Sequence, residues 1–255
     1  MTWSANQYTR FESERTRPAR DLVAAIPQDS VQLAVDLGCG PGNSTEALLA
    51  RYPTAAVSGI DSSEDMIDTA RKRLPHLNFE VGDIGRWKAD RAVDVILANA
   101  SLQWLPDHQT LYPRLLAQLA KGGCLAVQTP DNLSETPHRA ARELAASAQW
   151  ANKIGSVRHP DRHEAQWYYS LLRPLCSRVD VWRTTYFHEL QGHQAVVEWF
   201  KGTALRPFVA PLDAQERETF LGQYLDKISA EMPMLEGGTV LLPFPRLFIV
   251  AQRSA

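Results

Sequence analysis

Long apolar runs, paired cysteines and an excess of either charge are missing from this chain, and each absence removes a class of protein. The most apolar stretch, Val240 to Ala251, is broken by Pro243, Pro245 and Arg246. It falls short of the roughly 20 apolar residues that a membrane-spanning helix needs. Met1 to Arg15 is polar and charged where a secretory leader would carry an apolar core. Together these features predict a soluble, cytoplasmic protein that does not engage a membrane. Cys39, Cys124 and Cys176 are an odd count without C-x-x-C spacing, which predicts reduced thiols rather than a disulfide framework or a thiolate zinc site. His159 and His163 stand four apart, but Pro160 follows the first and argues for a loop, so no metal is expected. Lysine plus arginine number 27 against 29 aspartate plus glutamate, a net charge of -2, and neither sign forms a block. No global basic field argues for nucleic acid as a partner.

What is present is a chain of 255 residues, 44% hydrophobic, long enough to bury a full core. Short apolar runs alternate with helical spacing. Strands are predicted at Leu33 to Leu37, Ala55 to Ile60, Leu77 to Val81, Val93 to Ala98 and Leu125 to Gln128. Helices are predicted from Asn43 to Pro53, from Ser62 or Ser63 as a hydroxyl cap to Pro75, and at Leu111 to Ala120. Strands separated by helices are the pattern of a parallel doubly wound sheet. After Pro130 the rhythm changes. Helices are expected at Arg139 to Lys153, Glu164 to Leu172, Gln194 to Thr203 and Asp213 to Met232, with strands at Val179 to Phe187 and Leu247 to Gln252. Insertions of this kind usually cover a ligand bound beyond the carboxyl ends of the strands.

The motif with most chemistry in it is Asp36-Leu37-Gly38-Cys39-Gly40-Pro41-Gly42-Asn43, placed where the first strand turns into the first helix. Glycines there permit positive φ and a close backbone approach to a ligand. The dinucleotide fingerprint G-x-G-x-x-G would need its third glycine at Asn43, whereas Gly42 comes one residue early. The run matches D/E-x-G-x-G-x-G instead. A carboxylate at the strand end would repel a pyrophosphate and favour a cationic ligand, and S-adenosylmethionine carries a sulfonium and an ammonium. In these residues the chain resembles the class I S-adenosylmethionine-dependent methyltransferases. The resemblance implies a Rossmann-like, doubly wound, mostly parallel seven-stranded α/β sheet with a helical insertion covering the site. It implies S-adenosyl-L-methionine as cofactor, held by Asp36, Gly38, Cys39 and Gly40, with Asp61 at the end of the second strand on the ribose. Ser62 and Met66 would share a helix face toward the adenosine, and Asp83 and Ile84 would meet the adenine. Asn99, Ala100, Trp104 and Arg17 complete the implied cofactor set.

The segment after the fourth strand, Asn99-Ala100-Ser101-Leu102-Gln103-Trp104, lacks the N/D-P-P-Y/F signature of amine methylation. A carboxylate acceptor is already ionised at neutral pH and needs no general base, so no catalytic acid or base is expected and positioning carries the reaction. A polycarboxylate calls for cations in a fixed fork. Arg183, Arg206 and Arg246 lie in apolar, aromatic surroundings that suit an anion pocket. These segments, with Tyr8 to Phe11 and Glu14 to Pro18, are similar nearly end to end to the trans-aconitate methyltransferase family. That likeness implies transfer of a methyl group to one carboxylate of trans-aconitate, giving S-adenosylhomocysteine as the second product. Tyr8, Gln103, Trp104, Tyr168, Arg183, Tyr186, Arg206 and Arg246 would face the acceptor. Asn152 to Glu164 is basic and polar, as a mobile lid would be. Two alternatives stay open: methylation of a malonyl group on acyl carrier protein, and a non-catalytic regulator that binds S-adenosylmethionine. The expected organisation is a single domain, a monomer or weak dimer. It has an N-terminal helical segment (1–27), a cofactor-binding half (28–130) and a remainder (131–255) that completes the sheet and adds an acceptor cap at about 136–175 and 192–235.

Overall fold

The computed structural model describes residues 12–157 and 163–255. Tyr8 and its neighbours through Phe11, and His159 with Pro160, lie outside the described residues. Among the described residues, seven strands form one sheet in the order β3-β2-β1-β4-β5-β7-β6. They are β1 (Leu33–Leu37), β2 (Ala56–Asp61), β3 (Asn78–Val81), β4 (Val93–Asn99), β5 (Leu119–Pro130), β6 (Cys176–Gln191) and β7 (Thr239–Arg253). Ladders among the first five are parallel, with Asp36 opposite Gly59 on β2 and Leu97 on β4. Strand order reverses at β1, so the ends of β1 and β4 splay into the crevice where open α/β sheets take ligands.

The helices between these strands are α1 (Glu12–Ala24), α2 (Asn43–Arg51), α3 (Glu64–Arg73) and α4 (His108–Ala117). Helix α3 carries Glu64 and Asp65 in its first turn and Arg71, Lys72 and Arg73 in its last, which complements the helix dipole at both ends. Ser63 is its N-cap, but the serine hydroxyl makes no capping bond; the main-chain N–H of Ser63 donates to Asp61 Oδ1 at 2.9 Å instead. The expected hydroxyl cap is thus replaced by the preceding aspartate.

Chain contacts separate two compact units. The first holds the described residues up to Pro130, those from His163 to Thr184, and the tail from Leu247. Its main core joins Val35, Leu37, Ile96 and Val127 of the sheet to Leu111, Leu115 and Leu116 of α4 and to Tyr168 and Leu172 of α7 (Ala165–Leu172). Cys39, Ile67, Ala70, Leu74 and Phe79 form a smaller core. The second unit holds Asp131 to Val157 and Thr185 to Arg246. It contains α5 (Thr136–Ala145), α6 (Ala151–Ile154), α8 (Gly192–Lys201), α9 (Arg206–Val209) and α10 (Ala214–Glu231). Within it α10 starts with a capping box between Asp213 and Glu216, and Tyr224 donates to the Pro137 carbonyl at 3.0 Å. The helix expected over Arg139 to Lys153 is two helices, α5 and α6. Helix α7, expected in the acceptor cap, belongs to the first unit. No helix among the described residues is long and apolar enough to cross a membrane.

Candidate active site

The glycine turn is held by the ends of β1 and β2 and by the segment that follows β4. Gly38 and Cys39 donate main-chain N–H bonds to the Ile60 carbonyl at 2.7 and 3.0 Å, which pins the turn to the end of β2. Gly38 has φ 77°, and a Cβ there would stand 2.2 Å from the Ser101 Cβ, so the close approach to the segment after β4 requires glycine. Ser101 Oγ donates to the Leu37 carbonyl at 2.6 Å and closes the third side. At Gly40, φ is 54° and a Cβ would meet nothing within 4 Å. That open space belongs to a cleft lined by Gly38, Gly40, Asp61, Ser62, Met66, Asp83, Ile84, Asn99, Ala100, Ser101, Trp104 and Leu105.

Asp61 is the organising carboxylate of this cleft. Its Oδ2 accepts the Gly40 N–H at 3.0 Å and its Oδ1 accepts that of Ser63, so it ties the glycine turn to the head of α3. Burial pushes its pKa up, against the main-chain donors that pull it down. The side chain is only partly covered, which leaves lone pairs for a ligand hydroxyl. Ala100 sits at φ 55°, a left-handed conformation that costs a non-glycine residue free energy, and it does so in the cleft wall.

The fit to S-adenosylmethionine rests on these observations. A cradle that a Cβ at Gly40 would fill, an acidic strand end at Asp61, an apolar Met66 and an acidic Asp83 meet in one crevice without a basic group among its lining residues. Such a donor set suits a cationic nucleoside and not a pyrophosphate.

Three residues of the expected cofactor set are not in the cleft wall. Asp36 is fully buried behind the turn, where its Oδ2 accepts the hydroxyls of Ser44 and Thr45, each at 2.7 Å, and its Oδ1 has no partner among the described residues. Burial pushes its pKa up to about 6, the two hydroxyls oppose the rise, and the negative Asp61 adds to it. Asp36 therefore braces α2 against β1 and stands outside the cleft wall. Cys39 turns its thiol into the small core beside Ile67 and Phe79, and Arg17 is exposed on α1. Sequence reasoning missed Ser101 and Leu105 as wall residues. Ser101 lay inside the Asn99 to Trp104 segment, but only the contact with Gly38 gives it a role.

The expected acceptor residues divide in the same way. Trp104 is in the cleft wall. Gln103 is buried and donates from Nε2 to the Ala100 carbonyl at 2.8 Å. Tyr168 is buried in the core and is not in the cleft wall, its hydroxyl 2.6 Å from His108 Nδ1. Arg183 is exposed on β6 in the first unit. Arg206 is exposed at the start of α9 in the second unit, where Tyr186 and Arg246 are buried. The Arg246 guanidinium lies 4.7 Å above the centre of the Phe244 ring, and that ring and Trp199 flank a buried His188, which the sequence alone did not single out.

Comparison with known proteins agrees with this geometry. A family model described as a methyltransferase domain matches residues 34–123, the stretch that supplies the cleft. Among solved structures, the YcgJ protein of Bacillus subtilis aligns with a TM-score of 0.60 at 12% identity, covering 94% of this chain and 99% of that one. Geranyl diphosphate C-methyltransferase of Streptomyces coelicolor, in complex with S-adenosyl-L-homocysteine, aligns at 0.51 and 16% identity over 93% and 76%. At such identities these two speak to the fold alone. Trans-aconitate 2-methyltransferase of Methylobacterium radiotolerans is 50% identical over 257 residues, 99% of either chain. The protein of the same name from Variovorax paradoxus is 49% identical over the full length of both. With half its residues shared from end to end, this chain belongs to the trans-aconitate 2-methyltransferase family of S-adenosylmethionine-dependent enzymes.

Proposed function

We propose that the protein moves a methyl group from S-adenosyl-L-methionine to one carboxylate of trans-aconitate in the cytoplasm, releasing the monomethyl ester and S-adenosylhomocysteine. The observation that carries the substrate is the end-to-end identity of about half with relatives named for it, which takes in the second unit as well as the cofactor cleft. S-adenosylmethionine supplies an electrophilic methyl group, and the chain's own residues have the task of binding and orienting. Asp61 accepts from the ribose hydroxyls while holding Gly40, Asp83 and Ile84 border the adenine, and Asn99, Ala100 and Trp104 wall the crevice on the β4 side. A carboxylate nucleophile arrives ionised, so no side chain has to remove a proton. Arg246, buried beside aromatic rings, is the strongest of the three arginines as an anion holder, since a desolvated guanidinium binds carboxylate in a fork. Three free, buried thiols suit a reducing cytoplasm.

Incubating the purified protein with S-adenosylmethionine and trans-aconitate is expected to yield the monomethyl ester and S-adenosylhomocysteine in equal amounts by mass spectrometry. Activity on malonyl-acyl carrier protein alone would overturn the substrate. Cofactor binding without product from any tricarboxylate would make the chain a regulator. The variant Arg246→Ala is expected to raise the KM for the acceptor by about tenfold or more, the usual cost of losing a charge-assisted bond, with the affinity for S-adenosylhomocysteine unchanged in calorimetry.

A further inference from the structure

Behind the cofactor cleft the first unit buries a histidine that no step above uses. His108 opens α4, next to Asp107, whose side chain accepts the Thr110 N–H and caps the helix. Its ring lies between two oxygens. Nε2 is 3.0 Å from the Leu102 carbonyl and Nδ1 is 2.6 Å from the Tyr168 hydroxyl. A carbonyl can only accept, so Nε2 carries the proton and Nδ1 accepts from the tyrosine O–H. Both nitrogens of a neutral imidazole are then satisfied. The setting favours that form, because burial pushes the His108 pKa down against the Leu102 carbonyl, which pulls it up, and His163 adds to the fall. The Tyr112 and Tyr168 rings stand 5.3 and 5.8 Å from it, and His163, stacked on Trp167 at 3.6 Å, closes the cluster.

The two bonds join distant parts of the first unit. Leu102 begins the single turn Leu102–Trp104 that follows β4, and its last residue lines the cleft. Tyr168 belongs to α7, sixty residues further along the chain from His108. Packing alone would be met by phenylalanine. An imidazole bonded at both nitrogens adds direction, because the Leu102 carbonyl is held only while Nε2 points at it and the Tyr168 hydroxyl fixes the ring plane.

We propose that His108 is a positioning residue for methyl transfer: gripped by Tyr168, it holds the Leu102 carbonyl and so sets the turn that presents Trp104 to the cofactor. The proposal rests on the cleft being the cofactor site. Affinity for S-adenosylhomocysteine reads it whichever acceptor the enzyme takes, so a wrong acceptor would not be mistaken for a wrong role of His108.

The test compares Tyr168→Phe, His108→Phe and the double variant by calorimetry with S-adenosylhomocysteine, alongside Leu115→Val, which trims the same buried cluster without touching either bond. Tyr168→Phe is expected to weaken binding roughly threefold to tenfold, the effect of one hydrogen bond. His108→Phe should weaken it at least as much. The double variant should bind no worse than His108→Phe, because the tyrosine acts through the histidine. Leu115→Val should lower Tm and leave the affinity alone. If Tyr168→Phe and His108→Phe keep wild-type affinity, or if Leu115→Val loses as much as they do, His108 is a packing residue and the proposal falls. Should His108→Phe fail to fold, Tyr168→Phe against Leu115→Val decides.

Discussion

Gly38 and Gly40 stand two residues apart in one turn and are glycine for different reasons, which separates stability from binding. At Gly38 a Cβ would overlap the Ser101 side chain at 2.2 Å and the left-handed φ adds its own strain. At Gly40 the φ is also left-handed, but the position of a Cβ is empty space in the cleft. Gly38→Ala is therefore expected to cost about 2 to 5 kcal/mol of stability, from backbone strain together with overpacking. Gly40→Ala should cost only about 1 to 2 kcal/mol, and should weaken S-adenosylhomocysteine more than that loss suggests, since the methyl group would intrude on the cleft proposed for the ligand. Chemical denaturation and calorimetry on the two variants check the contrast. Equal stability losses would show that the Gly38 contact with Ser101 relaxes.

At the scale of elements, Asp36 links β1 to the first turn of α2 through Ser44 and Thr45, and its titration belongs to that joint. Its carboxyl keeps a proton up to a pH of about 6, against an ordinary value of 3.8. Between those values the folded chain binds more protons than the unfolded one, so stability falls as pH rises through the window, by on the order of 3 kcal/mol in all. Asp36→Asn keeps an acceptor for both hydroxyls and never ionises. Whatever the offset between the two Tm values at pH 4, it should move in favour of the variant as pH rises to 7; a constant offset would show that Asp36 does not titrate there. The elements themselves were legible where burial and period agreed. Strand β1 was expected and found at Leu33 to Leu37, and α3 ended just before Pro75. The fifth strand, expected from Leu125 to Gln128, is longer than that, because β5 starts at Leu119 and runs on through Gly122 and Gly123 to Pro130. The split of α5 from α6 left no proline or glycine to announce it. Most of the cleft was readable because its residues follow strand ends in order. Tyr168 was not, since a tyrosine's partner is set by tertiary packing and no spacing encodes a bond to His108.

Across the whole molecule, the residues of the proposed cofactor cleft come from four separate stretches of sequence and all lie in the first unit. Parallel strands bring them together: β1, β2 and β4 end at one edge, so the segments that follow those ends meet although dozens of residues separate them. Arg206, Tyr186 and Arg246, the residues proposed for the acceptor along with exposed Arg183, are mostly in the second unit. This division predicts a pattern in amide hydrogen exchange. S-adenosylhomocysteine should slow exchange in four stretches: Gly38 to Thr45, Asp61 to Met66, Gly82 to Gly85 and Asn99 to Leu105. The amides of Gly40 and Ser63 should respond strongly, because both are bound to Asp61 and a ligand on that carboxylate restrains the bonds that must open for exchange. Helix α10 should exchange at the same rate with and without the ligand, for its capping box and its buried Phe220, Tyr224 and Ile228 are all satisfied inside the second unit. Protection spread evenly over α5 and α10 would mean that cofactor binding is not confined to the first unit, and the assignment of the cleft as a self-contained site would have to be abandoned.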